Sequence, residues 1–399
     1  MLFWIILPAF MGIVGSLLKN LKGSGRFLLS AILCIGLLTG TFRATAQSVH
    51  IQDNASLWKQ IRHRPPQVAP DSIRLFFIGD VMMHKAQIGR DYKLFLSDLD
   101  STIAAADLAV ANMEFPLGGR PYTGYPAFSA PDEYAKVISD LGIDVFLTAN
   151  NHILDKGTAG LVRTLKEYSK IENGPMFTGT SSKDFPDSLY NPLVLNIKGI
   201  RLALVNCTYG TNFGFPPEDS GVKVHSTDKA DIEILMERAR KAGADFIIAL
   251  PHWGEEYVLK HNRKQETSAS ILAEKGAGVI IGAHPHVIQD TCTIITDDGR
   301  RVPVIYSLGN AVSNMSAKNT RLELAVTVIL ERSFPWQVRL AGVELEYLWC
   351  TLPGTLTDGY KTIRVRKYLD RRDLWKRAAD FDNMVNTLER VQKETGTGK

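Results

Sequence analysis

Residues 75–84 read LFFIGDVMMH, an apolar run of strand length that is followed by Gly79, Asp80 and, four residues after Asp80, His84. Continuous apolar runs of this kind are typical of strands that are buried on both faces of a sheet. Five further apolar runs along the chain also end in polar or ligand-type residues. They occupy residues 108–111, 145–147, 246–250, 279–281 and 304–306.

Helix-like stretches lie between several of these predicted strands, at residues 132–141, 158–170, 228–241 and 265–275. The alternation of strand and helix predicts an α/β architecture. In open α/β sheets, binding sites form beyond the carboxyl ends of the strands. We therefore expect the polar residues that follow the apolar runs to lie close together in the folded protein.

Those polar residues include five of the nine histidines of the chain. The set comprises His84, His152, His252, His284 and His286, together with Asp80, Glu114 and Asn151. Neutral imidazole combined with carboxylate oxygen suits Mn, Fe or Zn, so the sequence predicts a site for divalent metal. His284 and His286 flank Pro285, which favours an extended backbone before it. In an extended segment both imidazoles would point to the same side.

The net charge of +4 is concentrated at the amino terminus. Four of the 46 Lys and Arg lie in residues 1–46, which contain no Asp or Glu, so the rest of the chain carries 42 charges of each sign. Binding to nucleic-acid phosphates requires a surplus of Lys and Arg on the binding surface. The neutral body therefore argues against nucleic acid as the main partner.

Residues 1–46 are predicted to be a signal peptide or a membrane anchor. Two uncharged apolar stretches, 1–18 and 27–42, are separated by basic residues, and the second is followed by an A-x-A motif that ends at Ala46. This pattern is typical of a cleaved leader, while an uncleaved anchor is the alternative because each stretch approaches the ~20 residues that span a bilayer. Under either interpretation the positive-inside rule predicts an extracytoplasmic body, periplasmic or at the cell surface.

The rest of the chain is predicted to contain a linker, one large domain and a basic tail. Residues 47–71 are polar and contain prolines, which suits a spacer. Residues 72–350 form the domain, and residues 351–399 form a C-terminal basic helical extension. Residues 364–377 carry seven basic residues and two Asp, which indicates a solvated helix face or, alternatively, contact with anionic lipid or an anionic polymer.

Three motifs make the sequence resemble a known family. They are Asn151-His152 with Asp155-Lys156-Gly157, the run His252-Trp253-Gly254-Glu255-Glu256-Tyr257, and Gly282-Ala283-His284-Pro285-His286. With these motifs, residues 72–312 resemble the capsule-synthesis CapA family, also called PGA_cap, of the calcineurin-like metallophosphoesterase superfamily. The resemblance implies a four-layer α-β-β-α sandwich of the α/β class, two divalent metal ions and a metal-dependent hydrolase.

The resemblance also implies a role for each site residue. Asp80 and His286 resemble ligands of the first metal, Asn151, His252 and His284 resemble ligands of the second, and Glu114 takes the bridging position. His152 resembles the residue that assists the leaving group, and Asp155 is a candidate for orienting it. Asn112, Trp253, Glu256 and Asn310 are candidates for contacting substrate or supporting the ligands, with packing as the alternative for Trp253 and turn stabilisation for Asn310.

Two positions depart from the superfamily pattern. The superfamily usually has Asp-x-His in its first motif, whereas Met82 occupies the third position here and His84 comes two residues later. His84 can reach the metal only if its loop turns back, so its role as a ligand stays open. Glu114 replaces the usual bridging Asp, and its longer side chain changes the reach of the bridge.

Two functions from different classes follow from these observations. The first is an exported hydrolase that cleaves phosphoester or related bonds while an extracellular anionic polymer such as poly-γ-glutamate is made, exported or trimmed. The second is a non-catalytic, membrane-associated subunit of a polymer synthesis or export complex that retains a metal site. The expected partners are the membrane, polymer synthesis or export proteins, and an anionic polymer or phosphoester. The hydrolase requires a complete ligand set that is open to substrate, whereas the subunit tolerates a plugged site.

Overall fold

The computed structural model describes residues 72–333 and 337–397, so the predicted leader and linker lie outside the described residues. The described strands are β1 (Ser72–Val81), β2 (Leu108–Met113), β3 (Val145–Leu147), β4 (Met176–Thr178), β5 (Thr180–Ser182), β6 (Leu193–Ile197), β7 (Ile200–Thr208), β8 (Val222–Val224), β9 (Phe246–His252), β10 (Val279–Ile281), β11 (Thr291–Ile295), β12 (Arg301–Ile305), β13 (Asn310–Val312), β14 (Leu322–Ser333), β15 (Gln337–Thr351) and β16 (Lys361–Arg364). The described α-helices are α1 (Asp100–Ala105), α2 (Asp132–Asp140), α3 (Gly157–Lys170), α4 (Asp187–Tyr190), α5 (Lys229–Lys241), α6 (Arg263–Glu274) and α7 (Ala378–Thr395). Within these ranges no helix combines the length and the apolar character needed to cross a bilayer.

The strands form two large sheets and one small sheet. The eight-stranded sheet has the order β16-β15-β14-β1-β2-β3-β4, with β13 paired to β1 outside this path. Its strands β1 to β4 run parallel, whereas β14 pairs with β1 in the antiparallel direction. The six-stranded sheet has the order β11-β12-β10-β9-β7-β6, and β5 pairs with β8 in the small sheet.

The side chains of β1 alternate between two apolar cores. Leu75 and Phe77 pack between the two large sheets, together with Ile248 of β9. Phe76 and Ile78 lie on the opposite face, in a core that also contains side chains of α2 and α3. Since successive side chains of a strand point to opposite faces, a continuous apolar run serves both cores at once.

A third core covers the outer face of the six-stranded sheet. Leu235 of α5 and Leu272 of α6 pack there with Val205 of β7 and Ala249 of β9. Each fully buried side chain of this size contributes about 1.5–3 kcal/mol to the stability of the folded state. The layers therefore run helix, sheet, sheet, helix, which confirms the predicted four-layer α-β-β-α class.

The described part of the predicted C-terminal extension is integrated into the sandwich. β16 pairs with β15 at the edge of the eight-stranded sheet, and Met384 and Val391 of α7 join the core between the two large sheets. The α-helix begins only at Ala378. Six of the seven basic residues in 364–377 form ion pairs, two of them with Glu346, so most of the basic charge is offset within the fold.

Candidate metal centre

The carboxyl ends of strands from both large sheets bring the predicted ligands together. Asp80 lies near the end of β1, Glu114 directly follows β2, and His252 ends β9. His284 and His286 follow β10, in a loop that forms a β-bridge to the end of β9. All five side chains are buried, with at most 2% of their surface exposed.

Glu114 lies at the centre of this cluster, because it belongs to two groups of residues that could each hold an ion. One group is Glu114, His284 and His286, and the other is Asp80, Glu114 and His252; within each group the ligand atoms lie within 4.8 Å of one another. Glu114 Oε1 is 3.6 Å from His286 Nε2 and 3.8 Å from His252 Nε2. A carboxylate that bridges two cations requires a shared position of this kind.

Asp80 lies close to histidines that the resemblance assigns to different ions. Its Oδ2 is 3.2 Å from His286 Nδ1, and its Oδ1 is 4.0 Å from His252 Nδ1. His252 Nε2 is 2.9 Å from Asn151 Oδ1, which joins two ligands predicted for the second ion. The side chains therefore form one continuous cluster, and the two groups of three do not follow the predicted partition between the ions.

The cluster fits a divalent ion on the evidence of its unpaired polar atoms. Both carboxylate oxygens of Glu114 and the Nδ1 atom of His284 are buried without a hydrogen-bond partner. Burying such atoms unpaired is costly, and native proteins rarely tolerate it. Imidazole nitrogen and carboxylate oxygen are also the donors that Mn, Fe and Zn share. The buried His, Asp and Glu side chains are therefore compatible with a metal site.

The pKa shifts of the cluster favour the metal-binding form of its histidines. Burial, followed by the charge of neighbouring imidazoles, holds the pKa values of His252 and His284 well below the ordinary value. Burial, followed by the negative charges of Asp80 and Glu256, raises the pKa of Glu114 well above the ordinary value. A neutral imidazole is ready to ligate, whereas Glu114 must release a proton before it binds a cation.

Two asparagines orient members of the cluster. Asn112 donates from Nδ2 to Asp80 Oδ1 over 2.7 Å. Asn310 donates from Nδ2 to the carbonyl of Thr320, so its Oδ1 is the atom that lies 2.9 Å from His286 Nδ1. Because an amide oxygen only accepts, Nδ1 of His286 is the donor of this contact, which leaves Nε2, on the side of Glu114, as the nitrogen that can ligate an ion.

The segment 284–286 is bent, and the expectation of an extended His-Pro-His segment is wrong. The φ angles of His284 and His286 are +101° and +58°, in the left-handed region that residues other than glycine rarely adopt. The backbone N–H of His284 donates to Asp80 Oδ2 over 3.2 Å and ties the bend to β1. The two imidazoles therefore reach the cluster through a turn of the backbone. The sequence predicted instead that they would point to the same side of an extended segment.

His152 and Asp155 form a buried pair beside the cluster. His152 Nδ1 is 2.7 Å from Asp155 Oδ2, and the same oxygen accepts the backbone N–H of Phe128 over 2.7 Å. The Phe128 ring packs edge-on against the His152 ring, with 4.6 Å between their centroids. Asn212, from the loop after β7, places its Nδ2 3.2 Å from His152 Nδ1. Because Nδ1 donates to Asp155, it does not also accept from Asn212, and the contacts with Asp155 and Phe128 fix the orientation of the imidazole.

His84 lies outside both groups of three described above. The backbone N–H of Asn314 donates to its Nδ1 over 3.3 Å, and its ring packs edge-on against Phe128. Burial lowers the pKa of His84 to about 4, so the ring is neutral at physiological pH. The loop after β1 thus returns toward the cluster without bringing His84 into either ligand group.

Trp253 and Glu256 occupy different environments, although both belong to the same sequence motif. Trp253 is buried in the core under α5 and α6, and its indole N–H donates to the carbonyl of Tyr306 over 2.9 Å. That contact matches the packing alternative. Glu256 is exposed, and its negative charge contributes to the raised pKa of Glu114.

Sequence reasoning gave Asn150 no role, although this residue follows the apolar run 145–147, and it missed Tyr209 and Glu323. Asn150 donates from Nδ2 to the carbonyl of Met113 over 2.9 Å and so ties the loop after β3 to β2. Tyr209 packs on the ring of His284. Glu323 is fully buried in β14, and its Oε1 accepts the backbone N–H of Gly79 over 2.6 Å. For Glu323 the sequence contained one signal, a lone carboxylate in the otherwise apolar stretch 322–326.

Replacing Glu323 by Gln is expected to remove a pH-dependent loss of stability. Burial raises the pKa of Glu323 from 4.5 to about 8. The folded state therefore keeps a proton that the unfolded chain loses, and stability falls as the pH rises from about 4.5 to about 8, by up to about 5 kcal/mol. Thermal unfolding is measured in chelator at pH 5 and pH 9. The stability of Glu323→Gln relative to the wild type should be higher at pH 9 than at pH 5. The exposed Glu218→Gln is the control, and a pH-independent difference would contradict this account.

The comparisons with known proteins identify the family of the chain. The family model described as bacterial capsule synthesis protein PGA_cap matches residues 74–315. The chain is 28% identical over 288 residues to the capsule biosynthesis protein CapA of Bacillus anthracis, covering 67% of each chain. It is 27% identical over 290 residues to the PGA biosynthesis protein CapA of Bacillus subtilis (strain 168), covering 69% of this chain and 72% of the relative. Among solved structures, the Haemophilus influenzae NAD nucleotidase (NadN) aligns with a TM-score of 0.45 and 12% identity, over 80% of this chain and 62% of that chain. The family model matches more than half of the residues of this chain. The chain therefore belongs to the bacterial capsule synthesis protein PGA_cap family.

Proposed function

We propose that the protein is an exported, metal-dependent hydrolase that cleaves a phosphoester or related bond during the synthesis, export or trimming of a capsular polymer such as poly-γ-glutamate. The names of the two CapA relatives refer to capsule and PGA biosynthesis and support the capsule context. The leader predicted at residues 1–46 supports export to an extracytoplasmic location. The membrane and polymer synthesis or export proteins are the proposed partners.

The observation that carries this proposal is the shared position of Glu114 in two ligand groups beside the His152–Asp155 pair. Two divalent ions, of Mn, Fe or Zn, would be held by the buried cluster. Its proposed members are Asp80, Glu114, Asn151, His252, His284 and His286. Bound divalent ions supply Lewis-acid stabilisation of the charge that develops on a phosphoryl group.

His152 would move the proton that the leaving group needs. Its Nδ1 faces Asp155, a carboxylate that only accepts, so Nε2 is the nitrogen that can face the substrate. When the ring is protonated, Asp155 stabilises the imidazolium and Nε2 can donate to the departing oxygen. Asp155 acts through His152 and is a positioning residue.

The alternative function is a non-catalytic subunit that keeps its metal for structure. Its support is the burial of the ligands, because Asp80, Glu114, His252, His284 and His286 expose at most 2% of their surface. A site that never opens could bind metal and still turn over no substrate. The two functions therefore predict different turnover, although both are compatible with bound metal.

The test measures metal content and turnover on the same purified chain. Elemental analysis after incubation with Mn²⁺ should find bound metal, and bis(p-nitrophenyl) phosphate should be hydrolysed in a chelator-sensitive way. The double variant His284→Ala/His286→Ala should lose metal and turnover together, whereas His261→Ala, a histidine outside the cluster, should retain both. Wild-type protein without metal and without metal-dependent turnover would contradict the proposal. Bound metal without turnover would favour the non-catalytic subunit.

A further inference from the structure

The exposed aromatic side chains of the described residues gather around the candidate metal centre. Five aromatic residues within 72–333 and 337–397 are strongly exposed, and they lie on the three loops that follow β2, β7 and β9. We call them the aromatic rim: Tyr125 (73% exposed), Tyr209 (46%), Phe213 (66%), Phe215 (43%) and Tyr257 (46%). Exposed apolar patches next to a polar site commonly mark the place where a ligand binds.

Tyr209 lies directly on the candidate ligand His284. Its backbone N–H donates to the carbonyl of His252 over 2.9 Å, and its ring centroid is 4.6 Å from that of His284, with a tilt of 40°. The side chain is 46% exposed, so the ring packs on the imidazole and keeps part of its surface in solvent.

Tyr257 occupies the corresponding place beside His286. Its backbone N–H donates to the carbonyl of Pro285 over 2.8 Å, and its ring centroid is 6.2 Å from that of His286. The rings of His284 and His286 are themselves 5.9 Å apart. Two half-exposed tyrosines thus stand beside two neighbouring imidazoles of the cluster.

The loops of the remaining members of the aromatic rim are attached to segments next to the site. Asn212 precedes Phe213, and its backbone N–H donates to the carbonyl of Asn151 over 2.9 Å, which fastens the loop of Phe213 and Phe215 to the site. The loop of Tyr125 packs against the backbone of His84 and the residue after it, where a Cβ added to Gly124 would collide.

The charge of the two central loops argues against a polyanionic chain as the group held there. Residues 209–217 read YGTNFGFPP and residues 254–258 read GEEYV, so they contain two Glu and neither Lys nor Arg, and the loop of Tyr125, residues 114–131, adds a single cation, Arg120. Binding a row of carboxylates or phosphates requires cationic side chains along its path. Aromatic faces instead bind flat or apolar ring faces by stacking.

We propose that the aromatic rim binds a ring in the alcohol part of the substrate, so that the substrate is a phosphoester of a ring-bearing alcohol such as a sugar or a nucleoside. This inference rests on the proposed function, because the metal centre would hold the phosphoryl group. Tyr209 and Tyr257 are the residues that determine the preference for a ring.

Binding can be tested without hydrolysis. Isothermal titration calorimetry of the Mn²⁺-loaded full chain compares phenylphosphonate with methylphosphonate, neither of which contains an ester bond. We expect the phenyl compound to bind about tenfold or more tightly, since aromatic stacking has effects of this order. Tyr209→Ala should reduce that preference, and so should Tyr257→Asn, because Asn tolerates the φ of +67° at this position. Tyr209→Phe and Tyr257→Phe should keep it, and so should Ile295→Ala, an exposed residue of β11 outside the aromatic rim.

A second measurement identifies the ring and separates this inference from the proposed function. Glucose 1-phosphate and adenosine 5′-monophosphate are compared as substrates, and the ester with the lower KM reveals whether a sugar or a nucleobase is held. Equal binding of the two phosphonates, or a preference that survives both Tyr209→Ala and Tyr257→Asn, would overturn the inference. Ring preference without turnover would support the aromatic rim and contradict the hydrolase. Turnover without ring preference would support the hydrolase and contradict the aromatic rim as the binding site of a ring.

Discussion

Replacing Glu114 by Gln is expected to weaken metal binding and turnover severely. Glu114 belongs to both groups of candidate ligands, so removing its charge affects both at once. Outer-shell partners of metal ligands alone contribute about 10–100-fold to affinity or activity, so we expect the loss of a shared ligand to exceed ~100-fold in metal affinity and to reach ~1,000-fold in turnover. Calorimetric titration with Mn²⁺ and initial rates with bis(p-nitrophenyl) phosphate measure the two effects.

The same substitution should leave the metal-free protein equally stable or more stable. Glu114 is buried without hydrogen-bond partners, and burial holds its pKa well above the ordinary value. The folded state keeps the proton more tightly than the unfolded chain, so stability falls as the pH rises above the unfolded value of about 4.5. Gln has nearly the same shape and carries no charge, so its advantage should grow with pH. Thermal unfolding in chelator at pH 8 measures this difference. A melting temperature of Glu114→Gln clearly below that of the wild type would contradict the expectation.

Replacing His152 by Ala is expected to lower kcat by about 10²–10⁴-fold, the usual contribution of a positioned acid or base. His152 belongs to neither ligand group, so bound metal should remain. Its ring is held by Asp155 over 2.7 Å, and Asp155→Asn should lower kcat by a smaller factor because the imidazole loses only its oriented partner. Steady-state rates with metal content measured on the same samples check both variants.

The leaving group distinguishes proton donation by His152 from a structural effect. A good leaving group such as p-nitrophenolate needs little protonation, whereas an alkoxide needs a proton as it departs. The loss in His152→Ala should therefore be larger for an alkyl phosphoester than for a p-nitrophenyl ester. The same loss for both esters, or loss of the metal, would show that His152 acts through the structure of the site.

The fold class and the family could be predicted because their signals are local in sequence. Apolar runs of strand length, such as residues 75–78, end in ligand-type residues, and the carboxyl ends of neighbouring parallel strands meet in space. The motifs around His152, His252 and His284 carried the resemblance, which the match of the family model confirms. The leader, the linker and export stay predictions.

Features that depend on contacts between distant segments could not be predicted. The bend at His284 is held by a bond to Asp80, 204 residues away in the sequence, and no local pattern encodes it. Glu323 meets Gly79 across 244 residues, and the aromatic rim is assembled from three separate loops. The position of His84 remained open for the same reason, because the path of its loop depends on Phe128 and Asn314.

The left-handed backbone at His286 has an evolutionary consequence. Its φ of +58° lies in a region where Asn, Asp and His are several times commoner than other non-glycine residues. A change from His286 to Asp is therefore compatible with the local conformation, yet the Asp oxygens would end at the depth of Nδ1, beside Asn310 Oδ1 and Asp80 Oδ2, and would fall short of the position of Nε2. The backbone at this turn thus admits few residue types, and among them only His has the length to bring a ligand atom to the cluster.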